Sequence, residues 1–265
     1  MSKVLKKLYI WLIILFLYAP IVVLMVYSFN DSRSRATWSG FTFRWYIELF
    51  QDRMILQALY YTITIALLSS VIATIIGTFA AIGIFGYKKL SFNLVRNISY
   101  IPVINADIVT GVSLMLLFVF LGINQGFFTL LIAHITFNIP YVIFSVLPKL
   151  YQMDVHVYEA AMDLGASPLT SILKVVIPEI RHGIITGFLL AFTLSLDDFV
   201  ISFFTTGPGV NNLSIIIYSM ARRGINPKIN ALSTLMFAVV MILLFVINKK
   251  SASNNHLEKK VRREI

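Results

Sequence analysis

The chain contains no cysteine, so disulfides, thiolate nucleophiles and Cys-ligated metals are excluded. Its four histidines are scattered and make no ligand pair at helical spacing, so no metal site is expected. Charge is scarce: only 13% of residues are Asp, Glu, Lys or Arg, well below a soluble globular profile. No G-x4-G-K-[ST] loop is present, so the chain cannot hydrolyse ATP by that route. No Ser/His or paired-His arrangement supports an intramembrane hydrolase. Linkers and low-complexity stretches are absent, and the apolar runs are continuous rather than alternating, which argues against barrel strands.

What remains is apolar. Of 265 residues 58% are hydrophobic and mean hydropathy is +0.83, the profile of a polytopic membrane protein. Six runs are each long enough to cross a hydrocarbon core that needs about 20 helical residues. They lie near 8–29, 58–86, 97–121, 127–148, 184–206 and 229–248. The expected fold is therefore all-α, one domain over 1–265, with six transmembrane helices. The second run exceeds the need and must tilt or extend beyond the core. The first follows Lys3, Lys6 and Lys7 like a signal peptide. It is too long for one and lacks a small-x-small cleavage site, so an uncleaved span is expected.

Lys and Arg orient the spans. With the N-terminus inside, 15 of the 22 fall on the cytoplasmic side and 7 outside. Both termini and the 149–183 loop are thus expected in the cytoplasm. The net charge of +10 reads as topology signal and contact with anionic lipid, with no nucleic acid needed. Two outer segments are long. Residues 30–57 include FTFRWYIELF, which suits a helix at the interface, either as an aromatic anchor or to receive a partner. Residues 207–230 open with a GPG turn and continue as an apolar run too short to span. Pro20, Pro102 and Pro140 interrupt spans and permit kinks. Ser69, Ser70, Ala73, Gly77, Ala80, Ala81 and Gly83 let another helix approach the second span.

Three acids lie inside predicted spans with no Lys or Arg in any span: Asp107, Asp197 and Asp198. A carboxylate at mid-membrane costs at least a few kcal/mol, so such residues face a cavity, a partner or a ligand. On a continuous helix Asp198 shares a stripe with Ser195, Ser202 and Thr205, while Asp197 points about 100° away. Asp107 and Asp198 are therefore the first candidates for a cation route, with Asp197 third and more structural. The alternative is that these acids are protonated, or bonded to His134, Asn105 or Asn138. Uncompensated acids favour a cationic substrate over an anionic one.

The most informative segment is EAAMDLGASPLTSILKVVIP at 159–178. It fits the pattern E-A-A-x3-G-x9-[IV]-x-[IL]-P through Glu159, Ala160, Ala161, Gly165, Val175, Ile177 and Pro178. Small Ala160 and Ala161 allow close approach, and Gly165 can take the left-handed conformation that ends a helix. Ser167 then Pro168 reads as N-cap and first-turn proline of a new helix. Without the pattern this would be an ordinary helix–turn–helix between two spans.

The pattern resembles the cytoplasmic loop of the membrane subunits of binding-protein-dependent ABC importers. The resemblance extends over nearly the whole chain. It is nearest the second permease subunit of spermidine/putrescine importers, in WSGFTFRWY, NADIVTGVSLMLLF, GINQGFFTLLIAHITFNIPYV, SLDDFVISFFTTGP and IYSMARRGINPKINAL. Ala106 stands where relatives often carry proline, and Val175 and Ile177 replace Ile and Leu. The resemblance implies a type I importer permease fold and a non-catalytic subunit of the bacterial inner membrane. It implies a second, homologous permease, an ATPase dimer and an extracytoplasmic polyamine-binding protein as partners. Glu159, Ala160, Ala161, Asp163, Gly165, Ser167 and Pro178 would dock the ATPase, which would hold ATP and Mg; this chain would bind no cofactor. Importers of iron or thiamine share the docking loop, and a self-contained secondary cation transporter is the remaining alternative.

Overall fold

A computed structural model of the chain describes residues 3–32, 37–86, 103–223 and 227–242. Among these no strand occurs beyond one isolated bridge, Asn30 to Phe41. In order the helices are α1 (Lys3–Tyr27), α2 (Arg44–Gln51), α3 (Arg53–Phe85), α4 (Asp107–Phe120), α5 (Phe127–Gln152), α6 (Val155–Asp163), α7 (Pro168–Glu179), α8 (Arg181–Asp197), α9 (Val200–Thr205), α10 (Leu213–Arg223) and α11 (Pro227–Ile242). The chain divides into two compact units, 1–56 with 217–265, and 57–216.

In the first unit α1 is apolar around its whole circumference and exposed along its length, as a helix in lipid must be. It runs unbroken through Pro20. Asn30 then organises the outer turn. Its side chain donates to the Thr37 carbonyl at 2.9 Å and accepts from Ser39 N–H at 2.9 Å, while its carbonyl accepts from Trp45 Nε1 at 2.7 Å. This pins α2, which buries Trp45 and Leu49 and exposes Ile47 and Phe50. A helix is thus present where FTFRWYIELF predicts one. Arg44 pairs with Glu48 at 2.7 Å, and Lys228 reaches Glu48 at 3.6 Å and Asp52 at 3.4 Å.

The second unit is built on α3, α5 and α8. Val142 of α5 sits at the closest approach. A Cβ on Gly77 of α3 would lie 2.8 Å from Val142 Cβ, and one on Gly187 of α8 would lie 3.2 Å from its Cα. Glycine at these two places is what lets the three backbones meet. Ala73, Ala81, Val146, Leu150, Val176, Ile180 and Ala191 complete that core. A second cluster of Phe118, Ala133, Phe137 and Ile201, flanked by Leu114, Tyr141 and Leu194, joins α4, α5, α8 and α9.

Six runs do not become six straight helices. By length and apolarity α1, α3 and α5 can each cross a membrane, and α7 with α8 makes a fourth if that bent pair counts as one span. α4 and α11 are apolar but short; 97–102 and 243–248, parts of the third and sixth expected spans, lie outside the described residues, as does Pro102. α3 has 33 residues, close to 50 Å at about 1.5 Å per residue, in line with the excess length expected of the second span. The fifth expected span, 184–206, is broken: α8 stops at Asp197 and α9 starts at Val200. The third is broken as well. Ala106 is extended (φ −63°, ψ 137°), and Asp107 opens α4 instead of lying within a continuous helix. An acid in a first turn is favoured by the positive end of the helix.

Candidate functional site

The candidate docking element is a helical hairpin formed by α6 and α7. Asp154 caps α6 by accepting from His156 N–H at 3.0 Å. The C-terminal end is a Schellman motif: Ala166 N–H donates to the Ala161 carbonyl at 3.1 Å, and Gly165 N–H to that of Met162 at 2.9 Å. Gly165 takes φ +88°, the left-handed value expected of it. Ser167 Oγ then accepts from Thr170 N–H at 3.3 Å, with Pro168 in the first turn of α7, so the expected capping is also present. No residue of α6 is buried. Glu159 is exposed and lies 3.2 Å from His156 Nδ1, and Leu164 at the tip is 90% exposed. Ala160, Asp163 and Ser167 are exposed alongside it, and Ala161 is partly so.

Past the hairpin, α7 widens into a π turn over Ile172–Val176, just before Pro178. Proline supplies no N–H to the carbonyl four residues back, and a wider turn absorbs that loss. α7 and α8 then bend by 73° at Ile180 (φ −88°, ψ 7°). The motif's last residue thus sits at the foot of a sharp elbow, which spacing alone does not reveal. Next to the hairpin is a groove of about 810 Å³ lined by Ile82, Phe85, Leu150, Met153, Tyr158 and Val176, among others.

The second region is the break between α8 and α9. Asp198 is extended (φ −60°, ψ 125°) and turns its carboxylate onto the start of α9. Oδ1 accepts from Ile201 N–H at 3.2 Å; Oδ2 accepts from Ser202 N–H and Ser202 Oγ, both at 2.8 Å. A side-chain cap of this kind contributes about 1 kcal/mol. The far end of α9 is also held: Gln125 Nε2 donates to the Phe204 carbonyl at 3.0 Å, and Thr129 Oγ1 to that of Thr205 at 2.8 Å. A Cβ on Gly207 would collide with the Gln125 carbonyl.

Behind the break lies a buried polar core. His134 Nδ1 is 3.1 Å from Ser195 Oγ, and its Nε2 is 3.0 Å from Ser202 Oγ and 3.5 Å from Asp198 Oδ2. Asn212 Nδ2 donates to Ser202 Oγ at 2.6 Å, and Asn138 Nδ2 to Ser195 Oγ at 2.8 Å. Ser69 Oγ lies 3.2 Å from Ser195 Oγ. The helical stripe predicted for Ser195, Asp198, Ser202 and Thr205 is therefore not one face of a helix. Ser195, Asp198 and Ser202 do converge, but around His134 and across a break, because the Asp198 carboxylate ends one helix by starting the next. The alternative of an Asp198–His134 contact is the one observed.

Asp197, set aside from the route in the sequence, is exposed, and so is Asp107. Asp107 lies one turn before Gly111, which packs on Phe204 and Ile201. Asp197 lies one turn after Leu194, which packs on the Phe118 cluster. Both acids flank the same apolar cluster. Sequence reasoning missed His134 and Asn212 as organisers, and treated Ser69 as a packing residue. An isolated His with Asn one helical turn on (Asn138) was the available signal.

The Binding-protein-dependent transport system inner membrane component family matches residues 73–263. The chain belongs to this family. It is a permease subunit, a multi-pass membrane protein of a transport system and not an enzyme. It is 40% identical to the spermidine/putrescine transport system permease protein PotC of Escherichia coli (strain K12), over 86% of this chain and 87% of that protein. It is 42% identical to the putrescine transport system permease protein PotI of the same strain, over 87% and 85%. A bacterial ABC transporter that imports the acidic polysaccharide alginate shares the fold. Its TM-score is 0.71 at 19% identity, with 94% of both chains covered. The permease thus has the importer fold expected from its sequence.

Proposed function

We propose that this permease subunit forms half of the pathway by which a polyamine, spermidine or putrescine, crosses the bacterial cytoplasmic membrane. The observation that carries this reading is its identity of 40% and 42% with two polyamine permeases over most of each chain. A second, homologous permease encloses the other half, and an extracytoplasmic receptor delivers the substrate. A cytoplasmic ATPase dimer, which holds ATP and Mg, docks on the α6–α7 hairpin. Glu159 is its ionic anchor, Ala160 and Ala161 its close-approach face, and Asp163, Gly165, Ser167 and Pro178 its frame. The hairpin's exposure supports docking, since no residue of α6 is fully buried and only Tyr158 leans on the protein's own core. A self-contained transporter has no use for such a projection.

In this reading both termini are cytoplasmic, and closure of the ATPase dimer moves the hairpin and rocks the spans. The exposed carboxylates of Asp107 and Asp197 offset part of the dehydration of a multiply charged amine, with Tyr141 at hand for cation–π contact. Asp198, the other acid expected on the route, acts from inside the bundle. The test is reconstitution with partner permease, ATPase and receptor in proteoliposomes. ATP-dependent uptake of labelled spermidine or putrescine is expected. Uptake of an iron chelate or thiamine in its place, or polyamine uptake without the ATPase, overturns the reading.

A further inference from the structure

Asp197 and Asp198 are neighbours with opposite surroundings. The Asp198 side chain is 6% exposed, and its carboxylate takes three hydrogen bonds from α9. Asp197 ends α8 and is exposed.

With Asp198 ionised and His134 neutral, the hydrogen bonds behind the break run in one direction. Ser202 has a single hydroxyl proton, and the Asp198 carboxylate, which has only acceptors to offer when ionised, takes it at 2.8 Å. The other two groups on Ser202 Oγ must then donate. One is Asn212 Nδ2 and the other is His134 Nε2. The imidazole proton therefore sits on Nε2, which leaves Nδ1 to accept from Ser195 Oγ. Ser195 Oγ in turn accepts from Asn138 Nδ2. The chain of donors ends at Asp198, so every member of the core helps to hold that carboxylate in place. His134 is 1% exposed, and the bonds it makes tie α5 to both sides of the break.

We infer that His134, with Ser195, Ser202 and Asn212, is a positioning residue that commits Asp198 to capping α9 and so presents Asp197, not Asp198, to the cationic substrate. This rests on the polyamine reading above. Asp198 acts through the rigidity of the break, and Asp197 acts by charge. The two acids should therefore differ in which kinetic constant they control.

Uptake by the complete reconstituted complex separates them. Asp197→Asn is expected to raise KM for spermidine or putrescine about tenfold with Vmax within about twofold. Asp198→Asn is expected to do the reverse, lowering Vmax about fivefold with KM nearly kept. His134→Phe, which cannot donate to Ser202, should raise KM and lower Vmax, and His134→Gln, which keeps an N–H, should recover both in part. His134→Phe combined with Asp197→Asn should show a KM no higher than Asp197→Asn alone, because a lost presenter adds nothing once the charge is gone. An equal KM increase for Asp198→Asn and Asp197→Asn overturns the division of roles. A parent complex that imports no polyamine sinks the functional reading only. The inference is then decided with a cationic, water-soluble thiol reagent on the same complex, since the chain has no cysteine of its own. Asp197→Cys should react and Asp198→Cys should be protected until His134→Phe is added. Reaction at 198 and protection at 197 in the parent background overturns it.

Discussion

The α6–α7 hairpin and the α8–α9 break are both short interruptions between helices, and they satisfy their backbone in opposite ways. In the hairpin every cap is local: Asp154 to His156, Ala166 to Ala161, Ser167 to Thr170. Along α6 and around the tip the polar groups face solvent, while Tyr158, Ile172 and Val176 pack on the core. In the break the partners come from far along the chain, with His134 and Asn138 61 and 57 residues from Ser195, and Ser69 126 residues away. There most polar groups are used up internally, with the buried Asn138 Oδ1 unpaired, and Asp197 is left exposed. A hairpin capped by its own residues, and seated on the bundle through Tyr158, Ile172 and Val176, can transmit a push to it. A break held from three sides can fix one carboxylate where a charge is wanted.

The largest expected effect tests whether the hairpin is free of structural duty. Gly165→Arg forces a side chain into the left-handed region, at about 1–2 kcal/mol, and places a cation next to the proposed docking face. Receptor-stimulated ATP hydrolysis and uptake should fall on the order of 100-fold, with the protein at normal level in the membrane. Gly165→Ala meets no neighbouring atom and should lose far less. If Gly165→Arg instead removes the protein from the membrane, the hairpin is part of the fold and the contrast with the break disappears.

The break should answer differently. Ser202→Ala withdraws a donor from Asp198, takes the hydroxyl partner from His134 Nε2 and leaves Asn212 Nδ2 only the Asp198 carbonyl, at about 1–3 kcal/mol. Thermal unfolding of the purified permease should shift down, with ATPase binding to the hairpin retained. A loss of binding with no loss of stability would mean that the two regions had been assigned the wrong way round.

A smaller effect probes the scaffold on which both regions stand. Gly77→Ala drives a methyl into Val142 and should cost about 1–3 kcal/mol. Val142→Ala, costly alone, should restore part of the stability when combined with it. Additive losses would show that the closest approach of α3 and α5 lies elsewhere.

The smallest effect lies in the other unit. Its hydrogen bond to Arg44 holds the Glu48 carboxyl below the usual carboxylate value, and the Lys228 charge adds to this. A lowered native value means that the Arg44–Glu48 contribution is present above the unfolded value of about 4.5 and is lost as pH falls through the native one. Emission of Trp45, read with Trp11 and Trp38 replaced by Phe, should change on acidification below about pH 4.5. Glu48→Gln should remove that dependence. Arg44 is exposed and Glu48 half-exposed, so the amplitude should be slight and should shrink further in salt.

How much was legible follows from the range of the bonds. The Schellman turn at Gly165 and the cap at Ser167 followed from residues within five positions of each other, and both stand as expected. The Arg44–Gln51 helix followed from amphipathic spacing. The elbow at Ile180 did not, because it depends on a π turn that one proline can provoke without requiring it. Asp107 appeared to lie within a span; the extended Ala106 makes it a helix start, and no local pattern marks Ala106 as a break.

The sequence by itself determined that the chain is helical and lives in a membrane. It also set where the Arg44–Gln51 helix and the hairpin lie and which of the span acids lack basic partners. Each of these depends on composition or on contacts within a turn or two. Only the tertiary structure decided that Asp198 is a buried cap and Asp197 an exposed acid. On a continuous helix their difference is a fixed 100°, and the stripe of hydroxyls pointed to Asp198. The helix is not continuous, because His134, Asn212 and Ser195 supply a hydrogen-bonded core that makes ending one helix and capping the next the better way to hold a buried carboxylate. That competition is settled largely by His134, 61 residues from Ser195 and 68 from Ser202, whose proximity no spacing along the chain records.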